Sequence, residues 1–407
     1  MLSRREIREQ TAGPQASSVL VFRAYHIFKT STLEACGPAV CSLISLLLFV
    51  FFTVPSASAQ KPGGMLYIGT RPRQVLVIDE AQGKIVDHIQ LNTGTPSNLT
   101  LSYDKKKIFA STWNNGIEVI DLATRKVTNH FVLSEGNRTV RVMGFAPDPQ
   151  DQLLYATIRV AIKQIDRFEI EKPKFAVIDL ANKKITQTFD FPKEFDTPFG
   201  FMAGYRVSPD GKLLYVFKED VLIFDLKEFK QIDKIELSKP LHPGAFPIRI
   251  GGGDDPNEEP GVVTSIFNTT DPLVRRQIFG IARLELVTRN LDFTPIGPAV
   301  YGMTGLRLTP DRKTGYTVAF LGSNRSDPTR RTEFWVFDIA SRKLVKKQEF
   351  ESRTRFSFTL SSDGKQLYIY GAGPTIEIYN AETFKLQRVI TLEGDSTTQM
   401  LVLQPQR

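Results

Sequence analysis

Cysteine is nearly absent from this chain of 407 residues, and both copies, Cys36 and Cys41, lie near the N-terminus. Everything after them therefore lacks disulfides, cysteine metal sites, thiol nucleophiles and a Cys-x-x-Cys-His haem attachment motif. Histidine is also scarce: beyond the N-terminal segment only His88, His130 and His242 occur, without the spacing of a zinc motif. A Gly-x-Ser-x-Gly elbow and a Gly-Lys-Ser/Thr phosphate loop are missing too, which argues against an esterase triad and a P-loop enzyme.

Long apolar runs are limited to one, the fifteen uncharged residues 40–54. A membrane-spanning helix needs about 20 apolar residues, whereas a shorter run followed by Ala-Ser-Ala at 57–59 is typical of a secretory signal. We therefore predict a signal peptide over 1–59, cleaved after Ala59, and one mature domain over 60–407. The mature domain is expected to be periplasmic or secreted and to have no membrane span. A retained N-terminal anchor is the alternative.

Charge of one sign is not concentrated anywhere along the chain. Residues 1–59 hold five of the 52 basic and three of the 44 acidic side chains, so the remainder has a net charge of +6. Because the charges are mixed and no dense basic block occurs, nucleic acid is not expected as a partner. An anionic partner protein or surface is compatible with this balance.

A pattern with a period of about 50 residues recurs seven times after the N-terminal segment. Its first copy, VLVIDEAQGKIVDHIQL at 75–91, places alternating apolar residues on both sides of a polar turn, as expected for two half-buried strands. The first turn residue can accept hydrogen bonds from backbone N–H groups two residues further along the chain and so fix the reversal, so we assign it a structural role. In the seven copies this residue is Asp79, Asp121, Asp179, Asp225, Glu285, Asp338 and Asn380.

A second hairpin pattern alternates with the first, as in SPDGKLLYVF at 208–217. Together the two patterns give four strands per unit, which is one blade of a β-propeller. The strand at 65–70 resembles a second strand and 397–404 a first strand, so the two ends should pair in one blade and close the ring. We therefore predict an all-β, seven-bladed β-propeller. Blades 1 to 7 are expected at 98–133, 140–191, 201–237, 244–296, 301–350, 355–392, and 398–404 joined to 65–91.

Three further stretches are distinctive: FEIEKP at 168–173, DPLVRR at 271–276 and SSDGKQLYIYGAGPTIEIYNAETFK at 361–385. The repeat resembles the YVTN family of seven-bladed propellers, whose units read approximately LYVTN…VSVIDTATNKVVATI where this chain has LYIGT…VLVIDEAQGKIVDHI. With the three stretches, the chain is more closely similar to the β subunit of quinohemoprotein amine dehydrogenase and, more distantly, to the heavy chain of methylamine dehydrogenase. The resemblance covers 65–404.

This resemblance implies a propeller without a cofactor of its own, in a complex whose quinone and haems belong to partner subunits. The chain would then be the non-catalytic binding or scaffold subunit of a periplasmic amine dehydrogenase-like complex, with other protein subunits as partners. Two alternatives remain open, because propellers host many functions. One is a stand-alone enzyme such as a lactonase, and the other is a free-standing periplasmic propeller that binds a ligand or a protein.

Three arginines are candidates for binding a ligand or a partner. Arg206 and Arg307 lie three residues before the proline of a Ser/Thr-Pro-Asp turn, and Arg249 has a similar place in blade 4. Since first strands line the channel of a propeller, these guanidinium groups are expected near the axis, where they suit a carboxylate. The alternative is that each arginine pairs with a turn aspartate such as Asp210 or Asp311.

Aromatic residues supply the other candidates. Phe195 and Phe199 belong to an aromatic linker between blades 2 and 3, which serves either partner binding or packing between the blades. Trp113 and Trp335 lie in different blades and are expected to pack inside them.

Insertions distinguish blades 2 and 4 from the others. They fall at 159–175, 251–263 and 267–277, and long loops on a rigid scaffold often carry function. The acidic residues of 254–259 have oxygen ligands suited to calcium but not the spacing of a calcium loop. We therefore expect them to form a solvated loop.

Overall fold

The chain divides into two units, Met1–Gln60 and Lys61–Arg407. The computed structural model describes only residues of the second unit, and over them the backbone forms strands and turns without a helix. The predicted signal peptide and the candidates Phe195 and Phe199 lie outside the described residues. The described ranges are 63–191, 204–238, 249–250, 255–271, 273–323, 327–352, 356–371 and 373–405.

The described strands are numbered in chain order. The first sixteen are β1 (Met65–Thr70), β2 (Gln74–Asp79), β3 (Lys84–Gln90), β4 (Pro96–Leu101), β5 (Lys107–Thr112), β6 (Gly116–Asp121), β7 (Lys126–Val132), β8 (Arg138–Pro147), β9 (Leu153–Lys163), β10 (Phe168–Ile170), β11 (Lys174–Asp179), β12 (Lys184–Asp190), β13 (Gly204–Val207), β14 (Leu213–Phe217), β15 (Val221–Asp225) and β16 (Lys230–Ile235). The others are β17 (Arg249–Ile250), β18 (Val262–Thr270), β19 (Gln277–Glu285), β20 (Leu291–Pro298), β21 (Gly302–Met303), β22 (Arg307–Leu308), β23 (Thr314–Leu321), β24 (Arg331–Asp338), β25 (Lys343–Phe350), β26 (Ser357–Leu360), β27 (Gln366–Tyr370), β28 (Thr375–Asn380), β29 (Leu386–Thr391) and β30 (Leu401–Leu403).

These strands pair as seven small antiparallel sheets in a ring, which is a seven-bladed β-propeller with four-stranded blades. The fold predicted from the repeat is therefore confirmed. Blade 2 carries the extra strand β10, which pairs with β9, and in blade 5 the first strand is divided into β21 and β22. From the first strand outwards, blades 1 to 7 are β4-β5-β6-β7, β8-β9-β11-β12, β13-β14-β15-β16, β17-β18-β19-β20, β21/β22-β23-β24-β25, β26-β27-β28-β29 and β30-β1-β2-β3.

The hydrophobic core lies between neighbouring blades. The middle strands of a blade are buried on both sides; in β2, for example, Val75 to Ile78 are all fully buried. The described core residues form seven clusters, and each cluster joins two adjacent blades. This arrangement explains the runs of Val, Ile and Phe in the repeat, because a strand packed on both sides needs apolar residues at consecutive positions.

The two ends of the propeller meet in blade 7, as predicted. β30 pairs with β1 in the register Met65↔Leu403, Leu66↔Val402 and Tyr67↔Leu401. The pairing gives β1 a neighbour on each side, so the ring has no free strand edge at this point.

A buried carboxylate ties the closing blade to blade 6. Glu80 accepts hydrogen bonds from Gly64 N at 2.7 Å, from Ser362 N at 2.7 Å and from the Tyr368 hydroxyl at 2.8 Å. The Ser362 hydroxyl also donates to it. Because Glu80 is only 8% exposed, these donors replace water around its charge.

The predicted turn aspartates share one geometry. Gln82 N donates to Asp79 Oδ1 at 2.8 Å, and the residue at this third position also donates in the turns that begin at Asp121, Asp179, Asp225 and Asp338. The bond generally spans three residues rather than the two expected. The fourth residue after each of these aspartates, which is Gly83 in the first turn, has a positive φ, which lets the short loop reverse the chain.

Candidate functional site

The alternation of strand direction divides the turns of the propeller between two faces. In every blade, the turn after the first strand and the turn after the third strand lie on one face, the turn face, marked in blade 1 by Asp104 and Asp121. The ends of the second and fourth strands lie on the opposite face, the crossover face, marked in blade 1 by Trp113.

A cavity of about 760 Å³ lies between the first strands. Its walls come from blades 1, 2 and 3, from residues 255–264 of blade 4, and from Gln399 and Leu401 of blade 7. It reaches from Trp113 on the crossover face to Tyr103 on the turn face. This volume falls in the range of about 300–1,000 Å³ that small-molecule sites occupy.

A loop of blade 4 crosses the channel at the turn face. Residues 255–261, the floor loop, follow the very short β17 and reach the blades on either side. Lys105 of blade 1 donates from Nζ to the Pro256 carbonyl at 2.5 Å, and Leu308 N of blade 5 donates to Asp255 Oδ2 at 2.6 Å. Since blades 1 and 4 are separated by two others, the bond to Lys105 extends across the channel.

Blades 3 and 5 also hold the floor loop. Arg312 Nε of blade 5 donates to the Asn257 carbonyl at 2.9 Å, and Asn257 Nδ2 donates to a blade 5 carbonyl at 2.8 Å. Gly261 has a φ of +79° and packs so closely on blade 3 that a Cβ there would lie 2.7 Å from Pro209 Cγ. The floor loop is therefore fixed by three other blades.

The carboxylates of the floor loop are bonded within the protein. Glu258 accepts from Thr264 N at 2.7 Å and from Glu259 N at 3.1 Å, and burial raises the pKa of Glu258. Glu259 accepts from Arg283 Nη2 at 2.8 Å. The described residues of this loop are part-exposed, and the Glu259 side chain is 43% exposed, but hydrogen bonds to the protein hold their carboxylates in place. Among the described residues, no cluster of His, Cys, Asp and Glu could hold a metal ion.

Arg206 lies in the cavity wall, as predicted for the first strand of blade 3. Its neighbours Tyr205 and Val207 pack in the core between blades 2 and 3, so strand alternation turns Arg206 to the other side of β13. Arg206 Nη1 donates to the Tyr205 carbonyl at 2.7 Å. Burial raises the pKa of Tyr205 to about 12, and its phenol is hydrogen-bonded to the Thr157 hydroxyl of blade 2. Arg206 thus extends from a rigid strand.

Two other basic side chains border the cavity, Lys105 and Arg141. Desolvation, followed by the charge of Arg312, lowers the pKa of Lys105. Arg141 is exposed on β8, and within the described part of the chain its side chain makes no hydrogen bond or ion pair. The first strands of blades 2 and 3 are neighbours, so Arg141 and Arg206 lie on adjacent walls.

The other two predicted arginines have different positions. Arg307 Nη2 of blade 5 donates to Gln399 Oε1 of blade 7 at 2.9 Å, and Gln399 lines the cavity. Arg249 begins β17, where its backbone pairs with Asn268. Its side chain is not among the described parts of the chain. The structure therefore brings Arg206 to the cavity wall and Arg307 to a wall residue.

The turn aspartates weighed as partners for these arginines bond within their own turns. Asp210 accepts from the Ser208 hydroxyl at 2.6 Å and from Lys212 N at 3.1 Å. Asp311 accepts from the Thr309 hydroxyl at 2.7 Å. These hydrogen bonds lower the pKa of both carboxyls, which matches the structural role of the repeated turn.

The three-residue spacing rule misses Arg141, which lies six residues before Pro147. A β-bulge between Val142 and Gly144 inserts Met143 into the first strand of blade 2 and shifts its register. A criterion that accepts an arginine at any position of a first strand, whatever its distance from the turn, would identify Arg141.

A hairpin projects from blade 2 on the crossover face, where the sequence predicts an insertion. β9 has eleven residues, and β10 pairs with its far end in the register Phe168↔Lys163 to Ile170↔Ala161. The blade 2 arm, 159–173, exposes three large apolar side chains. They are Ile165, which is fully exposed, and Phe168 and Ile170, each 66% exposed.

Blade 4 has a second long hairpin on the same face. β18 and β19 have nine residues each and pair from Val262↔Glu285 to Thr270↔Gln277. The tip of this blade 4 arm, 271–276, exposes Leu273 and Val274.

The two tryptophans are both expected to pack inside blades, and the structure confirms this for Trp335 only. Trp335 is buried and lies 5.2 Å from the Phe279 ring. Trp113 is 62% exposed and borders the cavity, so the expectation that it packs inside a blade is wrong. Phe189, at the start of the aromatic linker, stacks on Phe229 at 4.2 Å between blades 2 and 3.

Comparison with known proteins shows no family for this chain. No protein-family model matches the chain, and no curated protein matches it. Hydrazine synthase from Kuenenia stuttgartiensis is 14% identical, with 76% of this chain and 95% of that chain covered and a TM-score of 0.47. Apo AztD from Citrobacter koseri is 14% identical, and the match covers 85% of this chain and 99% of the AztD chain with a TM-score of 0.47.

A third structure, dihydro-haem d1 dehydrogenase NirN in complex with DHE, is 11% identical to this chain. The match covers 84% of this chain and 75% of the NirN chain, with a TM-score of 0.48. Within the described ranges, none of the secondary structure is a helix with the length and apolar character to span a membrane.

Proposed function

We propose that this chain is an exported binding or scaffold propeller that holds a partner protein on its crossover face. The observation that carries the proposal is the blade 2 arm, where Ile165, Phe168 and Ile170 are exposed on one projecting hairpin. Single exposed apolar residues are ordinary on protein surfaces. Three large ones on one arm form a patch, and such patches are typical of protein interfaces.

The blade 4 arm supports a partner of some size. Its exposed Leu273 and Val274 lie on the same face as the blade 2 arm, so one partner can contact both. Arg275 and Arg276 follow directly. Because charges around an apolar contact select partners by complementarity, we expect an acidic surface on the partner beside its apolar contact.

The sequence resemblance supports a narrower form of this proposal. Two of the stretches that carry it, 168–173 and 271–276, lie in the two arms and contain four of their five exposed large apolar residues, all except Ile165. On that basis the chain is the non-catalytic propeller subunit of a periplasmic amine dehydrogenase-like complex. The predicted signal at 1–59 would direct it to the periplasm, and the quinone and haems would belong to the partner subunits.

The test is recovery of the partner with the full-length chain, tagged and expressed in its native host. Phe168→Ser combined with Ile170→Ser should reduce the amount of co-purified partner at least about tenfold, because losing two apolar anchors removes several kcal/mol of contact. The visible spectrum and the mass spectrum of each preparation identify the partner: a haem Soret band and a small cross-linked subunit are expected.

The matched control is Val345→Ser, which removes an exposed apolar side chain from the outer strand β25. It should leave recovery of the partner unchanged. A colourless monomer from the wild-type chain, or equal recovery with the arm variant, would contradict the proposal. Turnover of a lactone by the isolated chain would replace it with an enzymatic function.

A further inference from the structure

The cavity is separate from the two arms, and its wall has both apolar and polar parts. Leu101 of blade 1 and Val142, Met143 and Phe145 of blade 2 give it an apolar side. Met143 is the extra residue of the β-bulge, which places a flexible apolar side chain in the wall. Such a surface suits the apolar body of a small molecule.

The acidic groups at the cavity already accept hydrogen bonds from the protein. Asp255 accepts from Leu308 N and Asn257 N, at 2.6 and 2.8 Å, and these bonds hold the floor loop in place. Glu258 and Glu259 are bonded as described above. Their charge is therefore compensated by donors of the protein, and a ligand would not need to supply a cation.

Of the three basic groups at the cavity, Arg141 differs from the acidic ones. Lys105 Nζ is bonded to the floor loop, but Arg141 is exposed at the cavity and, among the described residues, no acceptor engages its guanidinium. Arg206 lies on the neighbouring wall. A guanidinium group binds carboxylates through two parallel hydrogen bonds, and its charge persists at any physiological pH. The cavity therefore favours an anionic group at the walls of blades 2 and 3.

We propose that the cavity binds a small organic carboxylate with an apolar body, with Arg141 as the carboxylate partner and Arg206 on the neighbouring wall, nearer the turn face. The apolar part lies against Met143 and Phe145, and the floor loop bounds the site at the turn face. This binding function is additional to the docking of a partner protein, since its residues line the channel, whereas the exposed apolar residues of the arms lie beyond it.

The experiment titrates the purified chain with 2-naphthoate by calorimetry, with its neutral counterpart 2-naphthamide and with inorganic phosphate in parallel. We expect 2-naphthoate to bind with a Kd below about 1 mM and the two other probes to bind more weakly. Arg141→Gln should weaken 2-naphthoate binding by about tenfold or more, because it removes a charge-assisted hydrogen bond. Arg206→Gln should weaken it by a smaller factor.

The control is Lys184→Gln, which removes the same charge from an exposed outer-strand residue of blade 2. It should leave the Kd unchanged, and circular dichroism verifies the fold of every variant. A crystal of the wild-type chain soaked in 6-bromo-2-naphthoate locates the ligand by the anomalous signal of bromine, even if the variants fail to fold. Bromine outside the cavity, equal binding of 2-naphthamide, absence of binding by 2-naphthoate, or an unchanged Kd in a folded Arg141→Gln would each overturn the proposal.

Discussion

On the turn face, polar side chains bond to the protein itself, whereas on the crossover face two long hairpins leave apolar side chains in solvent. The turn aspartates accept hydrogen bonds from backbone N–H groups, and the floor loop is hydrogen-bonded to blades 1 and 5 and packs on blade 3. The blade 2 arm exposes Phe168 and Ile170 instead. Both faces come from the same repeat, so the difference lies in what is added to it.

The comparison indicates a division of labour between stability and binding. Bonds on the turn face fix each hairpin and close the ring, so changes there should alter the free energy of unfolding. The arms extend beyond the blade core, so changes there should alter recognition and leave stability nearly intact. Three experiments separate these effects. The largest loss of stability is expected in blade 7, where the two ends of the domain meet.

Glu80→Leu should give the largest loss of stability. In the other copies of the repeat, the residue after the turn aspartate is apolar, as at Leu122 and Leu180, so leucine restores the repeat pattern. It would nevertheless leave Gly64 N, Ser362 N and the Tyr368 hydroxyl without their buried acceptor. We expect the free energy of unfolding, measured in urea, to fall by about 3 kcal/mol or more.

Glu80→Gln is the matched variant, because it keeps the shape and one acceptor oxygen. Its loss should be smaller than that of Glu80→Leu. Stability of Glu80→Leu equal to that of the wild type would mean that the strand pairing of β30 with β1 closes the ring without the carboxylate.

The second expected effect is a pH dependence that arises on the turn face. Hydrogen bonds from Ser341 hold the pKa of Asp338 below its usual value, and hydrogen bonds from Asn182 do the same for Asp179. A carboxyl whose pKa is lower in the folded state stabilises the protein above its unfolded pKa, and that contribution is lost as the pH falls. The free energy of unfolding should therefore decrease below about pH 4.

Asp338→Asn tests this dependence, since the amide keeps an acceptor oxygen but does not titrate. The decrease between neutral pH and pH 2–3 should be smaller in this variant than in the wild type. Ser341→Ala should change the slope in the same direction, because it removes the donor that lowers the pKa of Asp338 most. Identical slopes in the three proteins would assign the acid sensitivity to other groups.

The sequence predicts the regular parts of this molecule and misses the irregular ones for a physical reason. Repeated turns such as that of Asp121 are local, so the hairpins, the blade count and the closure by β30 follow from short-range pattern. The floor loop depends on contacts with other blades, through Lys105 and Leu308, which no local pattern encodes. The spacing rule misses Arg141 because the rule tests one position of the first strand, three residues before the proline, and Arg141 lies six residues before Pro147 on the far side of the bulge.

The smallest effect on stability should come from the arm. Phe168→Ser with Ile170→Ser removes side chains that are 66% exposed in the folded chain, so little burial is lost and the free energy of unfolding should change by no more than about 0.5 kcal/mol per residue. The same variant should lose its partner. If the variant unfolded at a clearly lower urea concentration than the wild type, the arm side chains would be packed against the rest of the protein. The arm would then contribute to stability, and the contrast between a structural turn face and a recognition face would not hold.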